Sequence, residues 1–133
     1  MRTFVDTSAL YALLDEDDEN HASAGAWLLT AGPDETDILV THSYIVVEAA
    51  ALVQRRLGAA AVRTLFDAFL PALSVVFVDE VLHRRAVAAY LASLRRHVSF
   101  VDWVSFQLMR DSGLDRAFAF DRDFKHEGFD IVP

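Results

Sequence analysis

The chain has 133 residues, of which 53% are hydrophobic, no cysteine, and a formal net charge of −8 at pH 7. This composition supports one folded domain that buries about two-thirds of its unfolded surface, and it excludes a disordered chain. The lack of cysteine excludes disulfides, thiolate zinc sites and cysteine nucleophiles, and the negative charge argues against binding nucleic acid through a broad basic surface.

The predicted elements alternate between strands and helices. Hydrophobic periodicity and turn residues give, in chain order, strand 2–5, helix 8–14, an acidic loop 15–19, helix 20–31, turn 32–37, strand 37–40, helices 42–57 and 59–73, strand 74–78, helices 79–96 and 100–112, and strands 116–120 and 129–132. Strands separated by helices are typical of a parallel sheet covered on both faces. We therefore predict a single α/β domain over residues 1–133, a three-layer α/β/α sandwich with a mainly parallel central sheet.

No segment of the sequence has the features of a signal peptide or a membrane span. Asp6 interrupts the apolar N-terminus. The longest nearly apolar run, 68–78, contains Pro71 and is far shorter than the ~20 residues that cross a bilayer. We expect a cytoplasmic protein without membrane contact. Its negative charge remains compatible with an enzyme that acts on a phosphodiester, because bound cations can supply positive charge locally.

The first predicted strand ends at a carboxylate. Asp6 follows that strand directly and is followed by Thr7 and Ser8. All three side chains can accept hydrogen bonds from the free N–H groups of a helix start, and this stretch by itself favours a helix cap. The alternative is a metal or phosphate site, because open parallel sheets keep their chemistry at the carboxyl ends of their strands. The positions of the other acids decide between the two.

Three further carboxylates stand in apolar surroundings. Glu48 is the one polar residue in IVVEAAALV (45–53), which predicts that it is buried in its helix. Asp102 lies in FVDWVSF, and Asp121 follows the strand AFAF in the way that Asp6 follows the first strand. An unpaired buried carboxylate costs several kcal/mol, and four would rival the ~5–15 kcal/mol that stabilise a typical domain. These acids therefore need cations.

The cations are either arginines or a bound metal ion. Arginines distant in the sequence would make the acids structural. However, no Lys or Arg lies within three residues of Glu48 or Asp102, and only Arg122 adjoins Asp121. An all-oxygen set from Asp and Glu suits Mg²⁺ or Mn²⁺, which also bind substrate phosphate. The pattern favours a metal site over structural ion pairs.

The residues that carry this pattern resemble a known family. They are the strand followed by DTS at 6–8, Thr41 and Glu48 in VTHSYIVVEAAAL, Ser99-x-x-Asp102 at the start of a helix, and FDRDF at 120–124. In this order they resemble the PIN-domain nucleases. The compact size and the acidic DEDDENHASA segment are similar to the bacterial toxin branch, the VapC-like ribonucleases of type II toxin–antitoxin pairs. The resemblance covers nearly the whole chain.

The resemblance implies a function and a site. It implies an endoribonuclease that depends on Mg²⁺ or Mn²⁺, with RNA as its substrate. It also implies a homodimer and inhibition by a small cognate antitoxin protein. The acids of the family correspond to Asp6, Glu48, Asp102 and Asp121, as catalytic residues and as metal ligands.

Several positions beside these acids depart from the family pattern or add a candidate contact. Many family members have Ser or Thr just before the last acid, where this chain has Ala119 and Phe120. Asp123 is either an additional ligand or a helix cap. Ser8 is a candidate contact for the substrate phosphate or for a water on the metal.

Two functions from other classes also fit part of the pattern. An acid after a parallel strand suits a phosphoryl-transfer enzyme with an Asp nucleophile. Such an enzyme would be expected to carry a second Asp two residues later, where this chain has Ser8. A PIN-like module without catalysis could instead use its acids to bind a basic partner. Metal-dependent RNA cleavage distinguishes the three functions.

Overall fold

The computed structural model describes residues 1–31, 34 and 36–133. Its elements are β1 Arg2–Val5, α1 Thr7–Leu14, α2 His21–Ala26, β2 Ile38–His42, α3 Ser43–Leu57, α4 Ala59–Thr64, β3 Ser74–Val76, α5 Glu80–Ser93, α6 Phe100–Ser112, β4 Arg116–Phe118, α7 Asp123–His126 and β5 Asp130–Val132. A π-helical segment, Trp27–Ala31, continues α2, and the segments Leu65–Phe69 and Leu70–Ala72 continue α4. The predicted turn 32–37 falls partly on Gly32, Pro33 and Glu35, which lie outside the described residues.

The five strands form one parallel sheet in the order β3-β2-β1-β4-β5. β1 is central, and its Phe4 is in register with Val40 of β2 and Ala117 of β4. The chain moves outward from β1 to β3 and then crosses to the other side of β1 for β4 and β5. Because such crossovers are right-handed, α1 to α4 cover one face of the sheet and α5 to α7 cover the other. This architecture confirms the predicted three-layer fold.

Successive side chains of β1 pack against the helical layers on opposite faces of the sheet. Phe4 packs towards α6 and α7, with its ring 5.9 Å from that of Phe124, which in turn lies 5.0 Å from Phe106. Val5 points to the opposite face, where it lines an apolar cavity together with Leu10 of α1. All of these side chains are at most 2% exposed. The sheet is therefore buried on both faces, as parallel sheets usually are.

Two predicted helices end earlier than expected. α5 ends at Ser93 because Leu94 adopts a left-handed conformation, with φ of 45°. Arg95 and Arg96, predicted to be in the last turn of this helix, therefore lie beyond it. The predicted helix 59–73 is regular only to Thr64 and continues as π and 3₁₀ turns around Pro71, which lacks the N–H group that a helix interior needs.

The C-terminal region also differs from the prediction. β4 ends at Phe118, so Asp121 does not follow the strand directly as expected. Ala119 still donates its N–H to Val132 O at 3.2 Å, which leads the chain along β5 before it turns. The residues after Asp121 form the short helix α7, which is absent from the predicted elements. Among the described residues no helix is long and apolar enough to cross a bilayer.

Candidate active site

The predicted acids lie at the topological switch point of the sheet. β2 lies on one side of β1 and β4 on the other, so the connections leaving β1 and β4 diverge at their carboxyl ends and leave a crevice there. Asp6 follows β1 directly, and Asp121 is separated from the end of β4 by two residues. Ligand sites of open α/β sheets are found at this position.

Asp6 is fixed by the start of α1 and by the neighbouring strand. Its backbone N–H donates to Phe118 O at 3.1 Å. Its carboxylate Oδ2 accepts from Ser8 N–H at 3.1 Å and from the Ser8 hydroxyl at 2.6 Å, so Asp6 is the N-cap of α1. The Ser8 Oγ also accepts the N–H of Phe120 at 3.0 Å. The cap and the acidic site are therefore the same residue, and Ser8 holds it against the end of β4.

Asp102 is positioned by a capping box at the start of α6. Its Oδ2 accepts the backbone N–H of Ser99 at 2.9 Å, and Ser99 Oγ accepts the N–H of Asp102 at 3.1 Å. This reciprocal pair confirms Ser99 as an N-cap. It holds Asp102, which is only 8% exposed, in the crevice.

Asp121 and Asp123 form a pair on the opposite wall of the crevice. Asp121 Oδ1 accepts the N–H of Asp123 at 2.9 Å, so Asp121 caps the start of the turn and Asp123 does not cap its own backbone. One carboxylate oxygen from each of Asp102, Asp121 and Asp123 lies within 4.8 Å of the other two. The structure therefore places Asp123, which the sequence left open, inside the acidic cluster.

Glu48 lies on α3 at the edge of the same group. It is close enough to Asp6 for its charge to raise the pKa of Asp6. The prediction that Glu48 is buried in an apolar helix was wrong, because the side chain is only half-buried. The residue just before it in the chain, Val47, is 68% exposed. One face of α3 therefore meets solvent although it is apolar, which the sequence pattern could not reveal.

Burial and mutual repulsion raise the pKa values of these acids. Burial raises the pKa of Asp6 to about 6, against the lowering effect of its hydrogen bonds with Ser8. Burial likewise raises the pKa of Asp102 to about 7, and the charges of Asp6 and Asp121 act in the same direction. The pKa of Asp121 is also raised by burial, and the charge of Asp123 adds to this effect. The carboxylates are thus held close together at a cost in free energy.

Among the described residues, no basic side chain is paired with these acids. Within residues 1–31, 34 and 36–133, none of the five acids forms an ion pair with Lys, Arg or His. The structural ion pairs that were the alternative to a metal site are therefore not found among the described residues. A crevice lined by carboxylate oxygens alone, which repel one another, suits a hard divalent cation.

His42, the last residue of β2, is fully buried. It caps α3 by accepting the N–H of Ile45 at Nδ1, and its Nε2 lies 2.8 Å from Ser105 Oγ. Burial lowers the pKa of His42 to about 3, so the ring is neutral near pH 7. From the sequence, this residue was predicted to be the first residue of the helix 42–57. The structure gives it a capping role in which both ring nitrogens are used.

Comparison with known proteins identifies the family of this chain. The PIN domain family matches residues 3–129, and the chain belongs to that family. It is 33% identical over 127 residues, 95% of this chain and 94% of the other, to the 23S rRNA-specific endonuclease VapC20 of Mycobacterium tuberculosis. The predicted family is therefore confirmed.

Solved structures show the same fold. The crystal structure of M. tuberculosis VapC20, described as a Sarcin-Ricin loop cleaving toxin, matches with a TM-score of 0.87 and 32% identity over 98% of this chain and 99% of that one. VapBC2 from Rickettsia felis, bound to a DNA fragment from its promoter, matches with a TM-score of 0.70 and 12% identity over 98% and 97%. FitAcB from Neisseria gonorrhoeae gives 0.69 and 15% over 100% and 97%. At these identities the last two show the fold alone.

Proposed function

We propose that this protein is a metal-dependent endoribonuclease and the toxin of a toxin–antitoxin pair, with residues 1–133 forming one nuclease domain that acts in the cytoplasm. The observation that carries the proposal is the acidic cluster at the switch point, in a chain that matches an RNA endonuclease along nearly its whole length. The RNA endonuclease with 33% identity is specific for 23S rRNA. We therefore propose ribosomal RNA as the substrate class.

The donor set fits Mg²⁺ or Mn²⁺. Asp102, Asp121 and Asp123 present carboxylate oxygens within 4.8 Å of one another. We assign these three residues, together with Asp6 and Glu48, to the cation site, because both ions prefer oxygen ligands and share them with substrate phosphate. When bound, the cation supplies a water of lowered pKa for in-line attack on phosphorus and offsets the developing negative charge.

Backbone hydrogen bonds orient three of these carboxylates towards a bound cation. Asp6, Asp102 and Asp121 each use one oxygen to accept a backbone N–H, from Ser8, Ser99 and Asp123 respectively. The other oxygens of Asp6 and Asp102 accept no hydrogen bond from the described residues, whereas the Asp121 carboxyl also has a side-chain hydrogen bond with Asp123. The backbone therefore fixes the orientation of each carboxylate and leaves the second oxygen of Asp6 and of Asp102 available. Such pre-organisation reduces the reorganisation needed when the ligand binds.

Ser8 has a positioning role in this arrangement. Its hydroxyl proton is donated to Asp6 and its oxygen accepts the N–H of Phe120. The contact with substrate or with a water on the metal, predicted from the sequence, would have to use the remaining lone pair. We propose that Ser8 acts mainly by holding Asp6 at the end of β4.

The cleavage assay uses a synthetic RNA hairpin with the sarcin–ricin loop sequence. Wild-type protein should cut it with Mg²⁺ or Mn²⁺ and should be inactive in EDTA. Asp102→Asn should reduce the rate at least a hundredfold, whereas Asp111→Asn on the same helix should be as active as wild type. Mapping the 5′ ends of digested ribosomal RNA locates the cut. Cleavage that persists in EDTA, or in Asp102→Asn, would contradict the proposal.

We also propose two protein partners, a second copy of the chain and a small antitoxin. Large apolar side chains are exposed on the surface, including Leu29 at 85%, Phe77 at 80% and Val47 at 68%. Side chains of this kind are expected at surfaces that protein partners cover. Light scattering of the purified protein tests the homodimer. Co-expression with the product of the adjacent gene, followed by a cleavage assay of the complex, tests the antitoxin, and a fully active complex would contradict it.

A further inference from the structure

The short helix α7 separates acidic and basic side chains onto different sides. Asp123 belongs to the acidic cluster and Phe124 is fully buried in the core. Arg122, Lys125 and His126 are exposed and line one cavity of about 410 Å³. Their spacing of three and four residues is the spacing that places helical side chains on one face. The short segment that carries Asp123 of the acidic cluster therefore also carries a basic face.

The two strong cations of this face are not neutralised. The acid that follows them, Glu127, is bound by Arg110 at 3.1 Å and by Arg95 at 3.5 Å. Neither Arg122 nor Lys125 forms an ion pair or a side-chain hydrogen bond with any of the described residues. In a chain with a net charge of −8, Arg122 and Lys125 are thus two exposed cations without an ion-pair partner among the described residues.

Binding of an RNA strand to this acidic protein requires positive side chains near the site of cleavage. A divalent cation in the crevice offsets the charge of the phosphate that is cut. The phosphates on either side of it would still be repelled by the negative net charge of the protein. Their binding therefore requires local Lys or Arg. An exposed guanidinium suits bidentate phosphate contacts, and an ammonium group binds phosphate as a point charge.

We propose that Arg122, Lys125 and His126 bind the backbone phosphates of the RNA strand next to the bond that is cut. This inference rests on the proposed ribonuclease function and assigns its substrate contacts. The other residue that lines the cavity, Ile131, offers only an apolar side chain. The basic face therefore positions the strand through its phosphates and contributes little to base recognition.

The test compares Arg122→Gln and Lys125→Gln with wild type on the sarcin–ricin hairpin between 50 and 200 mM KCl. Each lost phosphate contact should reduce the slope of log Kd against log salt by about 0.7 to 0.9. At low salt KM should rise roughly three- to tenfold while kcat stays within about twofold. Arg122→Lys and Lys125→Arg retain the charge and should retain the slope. Arg63→Gln removes an exposed arginine on α4 that has no ion-pair partner among the described residues, and it should behave as wild type.

Direct binding is measured in parallel by fluorescence anisotropy in Ca²⁺, so that the test does not depend on cleavage. Unchanged salt slopes and KM values in both Gln variants, with wild-type cleavage intact, would overturn the inference. Wild-type protein that binds the hairpin with the expected dependence on Arg122 and Lys125 but does not cut it would support the inferred phosphate contacts. The same result would contradict the proposed catalytic function. Thermal melts show whether the variants remain folded.

Discussion

Replacing Asp102 by Asn in the metal-free protein should stabilise the fold. The pKa of Asp102 is raised from 3.8 to about 7 by burial and by the neighbouring acids. An acid with a raised pKa in the folded state binds more protons there than in the unfolded state, so stability falls as pH rises from 3.8 to about 7. The loss is complete above pH 7, and Asn removes it because its side chain is neutral.

The magnitude follows from this shift. At 1.36 kcal/mol for each pKa unit, the ionised carboxylate costs about 4 kcal/mol above pH 7. Between pH 5 and pH 8 the difference between wild type and Asp102→Asn should grow by about 2 to 3 kcal/mol. The capping box should survive, because the Asn side-chain oxygen can still accept the N–H of Ser99.

Thermal melts in EDTA at pH 5 and pH 8 measure this effect. Asp102→Asn should melt above wild type at pH 8, by roughly ten degrees for a gain of 2 to 3 kcal/mol, and the gap should narrow at pH 5. Asp111→Asn is the matched control on α6, because Asp111 is paired with Arg85 at 2.8 Å and should give no gain. A melting temperature of Asp102→Asn below that of wild type at pH 8, or a gap that does not depend on pH, would refute the electrostatic reasoning.

Three further outcomes are expected. Mg²⁺ at 100 times its Kd should add about 2.7 kcal/mol to the free energy of unfolding, a rise of roughly ten degrees that matched NaCl should not reproduce in a thermal-shift assay. Ser8→Ala should lower kcat at least tenfold and cost about 1 to 3 kcal/mol in urea unfolding, since Asp6 and the N–H of Phe120 both lose a partner. Glu48→Gln should abolish RNA cleavage but leave the metal-free melting temperature equal or higher, whereas a loss of ~3–5 kcal/mol would identify Glu48 as an ion-pair partner.

The fold could be predicted from the sequence where local signals agree. Apolar strands, helix caps and Gly113 as a helix stop placed α6 correctly, and the alternation of strands and helices predicted the parallel sheet. The errors lie where tertiary contacts decide. α5 ends at a left-handed Leu94, a conformation that its sequence does not favour. β4 ends at Phe118, which is in register with the last residues of both neighbouring strands, Val5 and Val132.

The candidate site was predictable because buried charges are costly. Asp6, Asp102 and Asp121 stand out in the sequence as carboxylates in apolar surroundings, and the structure brings all three to one crevice. The exposure of Glu48 was not predictable, because an apolar helix face can be left for a partner. The basic face of α7 was missed as well, since the sequence shows Arg122 and Lys125 only as isolated cations among acids.

Asp121 and Asp123 differ in a way that kinetics can resolve. Both lie in the cluster, but Asp121 is fixed by the N–H that it accepts from Asp123, and its charge acts on Asp102. Asp121→Asn should keep this hydrogen bond and the fold while it lowers kcat at least about a hundredfold, the factor that corresponds to about 2.7 kcal/mol. Asp123→Asn should cost less than about tenfold at saturating Mg²⁺ and should raise the Mg²⁺ concentration needed for half-maximal rate, because Asp123 adds a ligand without fixing the others. A Mg²⁺ titration of kcat for both variants is the measurement. If Asp123→Asn is inactive at every concentration while Asp121→Asn remains active, the two residues have the opposite roles.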